Sequence, residues 1–195
     1  SLLPYSEREE VSMADLGCGT GTLALKIKSR FPHARITCLD YDREMIEVSK
    51  KKLNSHSDII YVVSDFSEYE PEESFDAVFS SLALHHIQGS SAKRENYSKI
   101  FRLISPGGIF INADVVAGPS KRLEKLYLQK WVEFEQKHYS SKEIHEEILS
   151  RMYHPGILTP LKPQLDWLQE AGFINVDVVW KYFHYAVFRG KKPKE

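Results

Sequence analysis

Apolar residues follow two different periods along the chain, and the two periods alternate from residue 11 to about residue 116. Short runs rich in Val, Ile, Ala and Phe are typical of buried strands, whereas apolar residues three or four positions apart are typical of helices. Leu23, Ala24, Ile27 and Phe31 form the first such helical stretch. Since strands that alternate with helices indicate parallel βαβ units, we predict a doubly wound α/β sheet.

The pattern changes after the fifth predicted strand. Residues 119–158 are predicted to form a helical insertion, because apolar residues recur there at helical spacing. A helix that ends before Gly172 follows, and the alternating segments 173–180 and 182–189 predict an antiparallel hairpin at the sheet edge. We therefore expect residues 1–195 to form one domain. Its sheet has seven strands, mostly parallel with one antiparallel C-terminal strand, and the insertion acts as a lid over the carboxyl edge.

Composition narrows the class of protein. A chain of 195 residues with 42% hydrophobic content can bury the core of one α/β domain. No apolar run approaches 18 residues and no positively charged start precedes an apolar segment, so we expect neither a membrane span nor a signal peptide. The two cysteines, Cys18 and Cys38, are interpreted as small buried residues, which favours the cytoplasm. With 26 basic and 27 acidic residues, the net charge of −1 gives no global attraction to nucleic acid or lipid.

A glycine-rich loop joins the first predicted strand to the first helix. Asp15 is followed by Gly17, Gly19 and Gly21, three glycines at alternate positions. Glycines tolerate positive φ and let the backbone approach a ligand. The spacing differs from the dinucleotide fingerprint, which would place a glycine where Thr22 stands. The loop predicts a ligand site, with a tight turn that binds nothing as the alternative.

Two further acids follow predicted strands. Asp40 ends the second strand, where a carboxylate can accept hydrogen bonds from both ribose hydroxyls of an adenosine ligand. Tyr41 could lie along that ribose or simply pack, and Asp42 is expected to cap the next helix. Asp65 and Phe66 follow the third strand, and an Asx turn is the alternative to a ligand contact there.

The pattern D-x-G-x-G-x-G at residues 15–21 resembles motif I of the class I S-adenosylmethionine (SAM)-dependent methyltransferases. The segments 74–87, with Leu-His-His at its end, and 105–108, Ser-Pro-Gly-Gly, are similar to later segments of that family. The resemblance implies a Rossmann-like methyltransferase fold with SAM as cofactor and S-adenosylhomocysteine as product. It implies that Asp65 and Phe66 meet adenine. The implied cofactor-binding residues are Asp15, Gly17, Cys18, Gly19, Gly21, Asp40, Tyr41, Asp65, Phe66 and Ser81.

The C-terminal segments 165–173 and 178–188 resemble one branch of the family. That branch includes uncharacterised archaeal and bacterial methyltransferases and, more distantly, the tRNA wobble-uridine carboxymethyl-transferring enzymes, which use carboxy-SAM. Those enzymes hold the extra carboxylate with an arginine in the insertion. Arg151 lies a residue or two off that register, so SAM is preferred over carboxy-SAM and a surface arginine is the alternative. The lead before the first strand is short, and Tyr5 is expected to reach the SAM pocket.

The predicted function is methyl transfer from SAM to a small molecule, by a monomer or homodimer. A tRNA base is an alternative acceptor, with Lys121, Arg122, Lys125 and Lys130 as its basic surface, and a non-catalytic SAM-binding domain is another. His85 and His184 are candidate general bases, with packing as the alternative for each. No metal is expected, because adjacent histidines rarely face one ion. The candidate substrate-pocket residues are Tyr5, Tyr127, Trp131 and Arg151.

Overall fold

The computed structural model describes residues 2–137, 139 and 158–194 of the chain. Seven strands form one sheet in the order β3-β2-β1-β4-β5-β7-β6. Strands β1 to β5 are parallel, and β7 runs antiparallel to both of its neighbours. The elements are β1 Ser12–Leu16, α1 Thr22–Arg30, β2 Arg35–Asp40, α2 Arg43–Lys52, β3 Ile59–Val63, β4 Phe75–Ser81, a 3₁₀ turn Leu84–His86, α3 Ser90–Leu103, β5 Ile104–Val115, α4 Lys121–Glu135, α5 Leu161–Glu170, β6 Ile174–Tyr182 and β7 Tyr185–Lys191.

The sheet is buried on both faces, as expected for parallel strands. On β1, Met13 faces a core cluster that includes residues of α1 and α2, whereas Ala14 and Leu16 face the cluster that includes residues of α3 and α5. Phe110 on β5 and Leu168 on α5 meet in that second cluster, and neither is exposed. Burial on both faces explains why these strands show continuous apolar runs in the sequence.

The predicted fold is confirmed, including the single antiparallel C-terminal strand. Gly172 follows Ala171, the C-cap of α5, and has a φ of 106°, which is the positive-φ C′ conformation predicted for it. The Pro106-Gly107-Gly108 segment lies inside the irregular start of β5, where the register against β4 shifts, and is not a separate turn before the strand. β7 lies between β5 and β6, so the hairpin leaves β6 at the edge.

The strand order creates a switch point at the centre of the sheet. The chain moves outward from β1 through β2 to β3 and then crosses back to β4, which pairs with the other side of β1. In open α/β sheets, ligands bind at the carboxyl ends of the strands beside such a reversal. Of the three acids predicted from the sequence, Asp15 and Asp40 lie in the last two positions of β1 and β2, and Asp65 lies two residues after the end of β3.

Candidate active site

A cavity of about 790 Å³ lies at the carboxyl ends of β1, β2, β3 and β4. Its volume falls within the range of small-molecule sites. The lining combines backbone of the glycine loop with acidic, apolar and imidazole side chains: Gly17, Cys18, Gly19, Leu39, Asp40, Tyr41, Asp42, Met45, Ser64, Asp65, Phe66, Ser67, Ser81, Leu82, Ala83, His86, Ile87, Ala92 and Asn96.

The absence of a side chain has a different structural consequence at each of the three loop glycines. A Cβ on Gly17 would lie 2.3 Å from the Cβ of Ala83, so Gly17 lets the loop pack against the segment after β4. A Cβ on Gly21 would lie 2.4 Å from Ser49 Oγ of α2, and Gly21 does not line the cavity. Gly19 has a φ of 52°, and a Cβ there would meet no atom within 4 Å. Gly19 thus keeps space open on the cavity wall.

Asp15 lies beneath the glycine loop at the end of β1, and its residue surface is only 1% exposed. Neither of its carboxylate oxygens forms a hydrogen bond of normal geometry with a residue that the structure describes. Burial raises the pKa of Asp15 to about 7; the Ala24 backbone N–H partly offsets this rise, and the nearby charge of Asp40 adds to it. A buried carboxylate without a partner destabilises the empty protein. The group therefore fits a cationic ligand group, such as the ammonium of SAM, reached directly or through water.

Asp40 joins the glycine loop to the second strand. Its Oδ2 accepts a hydrogen bond from the Gly19 N–H at 2.8 Å, and its Oδ1 accepts one from the Asp42 N–H at 3.0 Å. The carboxylate is 7% exposed and lines the cavity. Each carboxylate oxygen can accept more than one hydrogen bond, so both retain capacity for ribose hydroxyls. Asp42 caps α2 by accepting from the Glu44 N–H at 2.8 Å, which confirms its predicted role.

The remaining predicted cofactor residues also line the cavity. Tyr41 is 78% exposed beside Asp40, and Ser81 lies at the end of β4. Asp65 forms the alternative Asx turn, because its Oδ1 accepts the Ser67 N–H at 2.8 Å, yet the residue still faces the cavity. Phe66 is half-buried and packs against the core cluster. An aromatic face beside an exposed carboxylate suits an adenine ring and its exocyclic amine.

The two cysteines are free thiols and both are buried, as predicted. A hydrogen bond with Cys38 and burial raise the pKa of the Cys18 thiol above its usual range. Cys18 is therefore a protonated, small apolar lining residue. Buried thiols of this kind are poor nucleophiles, so Cys18 contributes to the shape of the cavity.

His85 is fixed beside the cavity by an acid that the sequence analysis did not select. Its Nδ1 lies 2.7 Å from Oδ1 of Asp114 at the end of β5, and the His85 backbone N–H donates to Asp114 Oδ2 at 3.0 Å. The neighbouring His86 lines the cavity, and its ring centroid lies 3.9 Å from that of His85. Burial, followed by the charge of His85, lowers the pKa of His86. An acid in the next-to-last position of an apolar strand, as at Asp15, was the signal that could have identified Asp114.

The second candidate base, His184, lies away from the cavity lining. Its Nε2 is 3.4 Å from Glu124 Oε1, and its ring packs edge-on against Tyr127. Burial lowers the pKa of His184, and the Glu124 charge opposes that effect. Trp131 donates from Nε1 to the Tyr185 hydroxyl at 3.0 Å. Tyr127 and Trp131 were expected to line the substrate pocket, but the structure places them between α4 and the β6–β7 hairpin.

Tyr5 is a second correction. Its hydroxyl donates to the carbonyl of Asp76 at 2.8 Å, and Asp76 stands at the beginning of β4. Tyr5 therefore lies at the amino edge of the sheet, opposite the cavity, and does not reach it. Burial raises its pKa to about 12. Arg151 lies outside the described residues, so its predicted position remains a prediction.

Leu82 was also missed by sequence reasoning. It has a φ of 53°, which is rare for a residue with a branched side chain. The Leu82 N–H donates to the Ala113 carbonyl at 2.9 Å, and its side chain is 47% exposed on the cavity wall. Such strained positions cluster at functional sites. No sequence pattern marks a leucine for this conformation, because the constraint comes from β5.

A second cavity of about 640 Å³ lies at the amino edge of the sheet. Three of its charged residues have protein partners: Arg35 pairs with Glu73 at 2.9 Å, Asp58 pairs with Lys28 at 3.1 Å, and Asp76 accepts the Ser12 N–H at 2.8 Å. It contains no glycine loop and lies away from the switch point. The cavity at the carboxyl edge of the sheet is therefore the better candidate for a ligand-binding site.

Comparison with known proteins finds similarity to methyltransferases. Residues 13–108 match the family model described as a methyltransferase domain. The chain is 31% identical over 106 residues to a malonyl-[acyl-carrier protein] O-methyltransferase of Ilyobacter polytropus, a match that covers 54% of this chain and 40% of that protein. It is 26% identical over 195 residues to a carboxy-S-adenosyl-L-methionine synthase of Campylobacter hominis, covering 98% of this chain and 81% of that protein. The chain thus matches less than half the length of the malonyl relative.

A solved structure shows the same fold. The N-methyltransferase NodS from Bradyrhizobium japonicum, in complex with S-adenosylhomocysteine, superposes with a TM-score of 0.67 at 15% identity. The superposition covers 94% of this chain and 78% of that protein. Within the part of the chain that the structure describes, no helix is both long and apolar enough to cross a membrane. By its strand order and these matches, the chain has the Rossmann-like fold of the class I SAM-dependent methyltransferases.

Proposed function

We propose that this protein transfers the methyl group of SAM to a small-molecule acceptor. The observation that carries the proposal is the buried Asp15 carboxylate, which forms no hydrogen bond of normal geometry with any residue that the structure describes and lies beneath a glycine loop bordering an open cavity. Retaining such a group costs stability in the empty protein. A cationic ligand at the loop would compensate that cost, and SAM carries an ammonium.

SAM, when bound, supplies an activated methyl group on a sulfonium. The residues of the chain then have to bind and align the two reactants and exclude water. Asp15 would hold the ammonium, Asp40 the ribose hydroxyls, and Asp65 with Phe66 the adenine. The backbone of Gly17 and Gly19 would lie against the ligand between these groups.

A small acceptor is favoured over a nucleic acid by two observations. The chain has no excess of basic residues, whereas binding to nucleic acid depends on neutralised phosphates. One relative is named for methyl transfer to an acyl-carrier-bound malonyl group. A tRNA acceptor, with the basic residues of α4 as its contact surface, remains the alternative prediction.

Asp40→Ala is expected to weaken SAM binding by about 1.5–3 kcal/mol, roughly 10- to 150-fold, because two ribose hydroxyls lose a charged acceptor. The loss of the Gly19 hydrogen bond adds to this effect. Isothermal titration calorimetry measures the change. Asp58→Ala is the matched control, since it removes a carboxylate that pairs with Lys28 at the opposite edge of the sheet but should leave SAM affinity nearly unchanged. If the folded Asp40→Ala variant bound SAM with the same affinity as the wild-type protein, Asp40 would not be part of the SAM site.

The activity itself is tested in two stages. Mass spectrometry of ligands released from the purified, denatured protein should find SAM or S-adenosylhomocysteine. Incubation with methyl-deuterated SAM and a small-molecule extract should then place the label on a compound of low mass. Label found only on added tRNA would favour the alternative acceptor. Bound SAM without any labelled product would indicate a non-catalytic SAM-binding domain.

A second candidate function is the production or use of carboxy-SAM. It is favoured by the carboxy-SAM synthase of Campylobacter hominis, whose match spans 98% of this chain. The same ligand analysis separates the two candidates, because carboxy-SAM differs from SAM in mass by one carboxylate group. Carboxy-SAM in the released fraction would replace methyl transfer as the leading function.

A further inference from the structure

Asp114 fixes His85 through both its backbone and its ring. Oδ2 of Asp114 accepts the His85 N–H at 3.0 Å, and Oδ1 lies 2.7 Å from Nδ1 of the ring. Oδ1 also accepts the Val115 N–H at 2.9 Å. The side chains of His85 and Asp114 are only 9% and 2% exposed. The imidazole therefore has one orientation, set by a buried carboxylate.

This contact also selects a tautomer. An ionised carboxylate only accepts hydrogen bonds, so Nδ1 of His85 carries a proton and Nε2 of the neutral ring carries the lone pair. Among the residues that the structure describes, none forms a hydrogen bond with that Nε2. The arrangement is that of a general base whose second nitrogen is oriented by an acid.

The oriented imidazole lies next to the cavity. The 3₁₀ turn that carries it follows Leu82 and Ala83 directly, and both line the cavity. His86 of the same turn lines the cavity as well, and its ring is tilted by 40° against the His85 ring. His86 has no hydrogen bond to its ring within the described residues, so it lacks the fixed orientation that a base requires.

We propose that His85 is the general base of methyl transfer, that Asp114 is its positioning residue, and that the acceptor presents a hydroxyl group. This inference rests on the proposed methyltransferase function. A hydroxyl is a poor nucleophile until it loses its proton, whereas a carboxylate acceptor is already ionised and needs no base. A carboxylate acceptor would not use an imidazole base oriented by an acid beside the cavity. The presence of such a base therefore favours a hydroxyl acceptor over a carboxylate acceptor.

The proton and electron changes balance in a single step. The hydroxyl proton passes to Nε2 of His85 while the hydroxyl oxygen bonds the methyl carbon, and the electron pair of the broken carbon–sulfur bond stays on sulfur. The resulting imidazolium lies against the Asp114 carboxylate, which stabilises its charge. The proton leaves to solvent after the products depart.

The test is nitrogen NMR of histidine-labelled protein, with and without S-adenosylhomocysteine. In the wild-type protein, Nε2 of His85 should show the shift of an unprotonated nitrogen. Asp114→Asn should move the proton to Nε2 in most molecules, whereas the control Asp76→Asn, the same change at the opposite edge of the sheet, should leave the His85 signals unchanged. A protonated Nε2 in neutral wild-type His85, or an unchanged tautomer in Asp114→Asn, would overturn the dyad. If Asp114→Asn does not fold, the wild-type shift alone decides.

The acceptor class is tested with 3-(4-hydroxyphenyl)propanoate, which offers a phenol and a carboxylate on one skeleton. The methyl ether is the expected product, and His85→Gln should slow its formation by roughly 100-fold or more without changing SAM affinity. Formation of the methyl ester, or an equal rate in His85→Gln, would overturn the proposed acceptor class. If the wild-type protein did not bind SAM, the result would instead contradict the proposed function. The NMR result on His85 and Asp114 would be unaffected.

Discussion

Replacement of Gly19 by Val is expected to abolish detectable SAM binding, a loss of roughly 100-fold or more, while the sheet stays folded. A Cβ at Gly19 meets no protein atom within 4 Å, so the added methyl groups occupy cavity space without displacing the protein. They would therefore clash with the ligand. The measurement is calorimetric titration of SAM into the variant, together with circular dichroism to verify folding.

The strain of valine at positive φ requires its own control. Gly19 has a φ of 52° and Gly89 a φ of 83°, and a Cβ at either position would lie in open space. Gly89 precedes α3 and does not line the cavity. Gly89→Val should therefore lose stability from strain and still bind SAM. Normal SAM binding by Gly19→Val would show that the loop is only a turn.

Asp15→Asn is expected to stabilise the empty protein at pH 8 and to weaken its binding of SAM. The raised pKa of about 7 means that folding opposes ionisation of this carboxyl. Between about pH 4 and pH 7 the folded state retains a proton that the unfolded chain has released, so this group lowers stability as the pH rises. Asparagine has a similar shape and no charge, and should raise the free energy of unfolding at pH 8 by about 1–3 kcal/mol.

The same substitution should have the opposite effect on binding. The neutral amide of the Asp15→Asn variant gives the SAM ammonium no charged partner, so affinity at pH 8 should fall by about tenfold or more. Wild-type affinity should also fall below pH 7 as Asp15 becomes protonated, whereas the variant should lack this dependence. Urea unfolding and calorimetry at pH 5.5 and pH 8 measure both effects.

Asp76→Asn serves as the matched control for Asp15→Asn. The Asp76 carboxylate accepts the Ser12 N–H at 2.8 Å, at the opposite edge of the sheet. Its replacement should reduce stability and leave SAM affinity unchanged at both pH values. If Asp15→Asn destabilised the empty protein at pH 8 as much as Asp76→Asn did, burial of an unpartnered charge at Asp15 would be the wrong interpretation.

The part of the site that could be predicted from sequence is the part set by strand ends. Parallel strands bring their carboxyl ends to one edge, so Asp15, Asp40 and Asp65 had to converge once three strands were recognised. The strand register agrees with this expectation, because Asp15 of β1 pairs with Cys38 of β2 and Asp40 of β2 pairs with Val63 of β3. The glycine pattern additionally predicted the loop that lies among these acids.

What sequence could not predict depends on contacts between distant segments. Asp114 orients the ring of His85, which is 29 positions away in the sequence. Trp131 forms a hydrogen bond with Tyr185, which is 54 positions away. Tyr5 packs at the amino edge through a bond to Asp76, 71 positions away. No local period encodes such pairings. For the same reason the three loop glycines looked equivalent, although only Gly17 and Gly19 line the cavity.

The most direct measurement is a crystal structure of the protein with S-adenosylhomocysteine. The ligand is expected in the cavity at the carboxyl edge, with its ribose hydroxyls within hydrogen-bonding distance of Asp40 and its adenine beside Phe66. Its amino group should lie over Asp15, directly or through one water. Ligand bound instead in the cavity near Asp58 and Asp76, or bound at the carboxyl edge with its ribose away from Asp40, would contradict the proposed site.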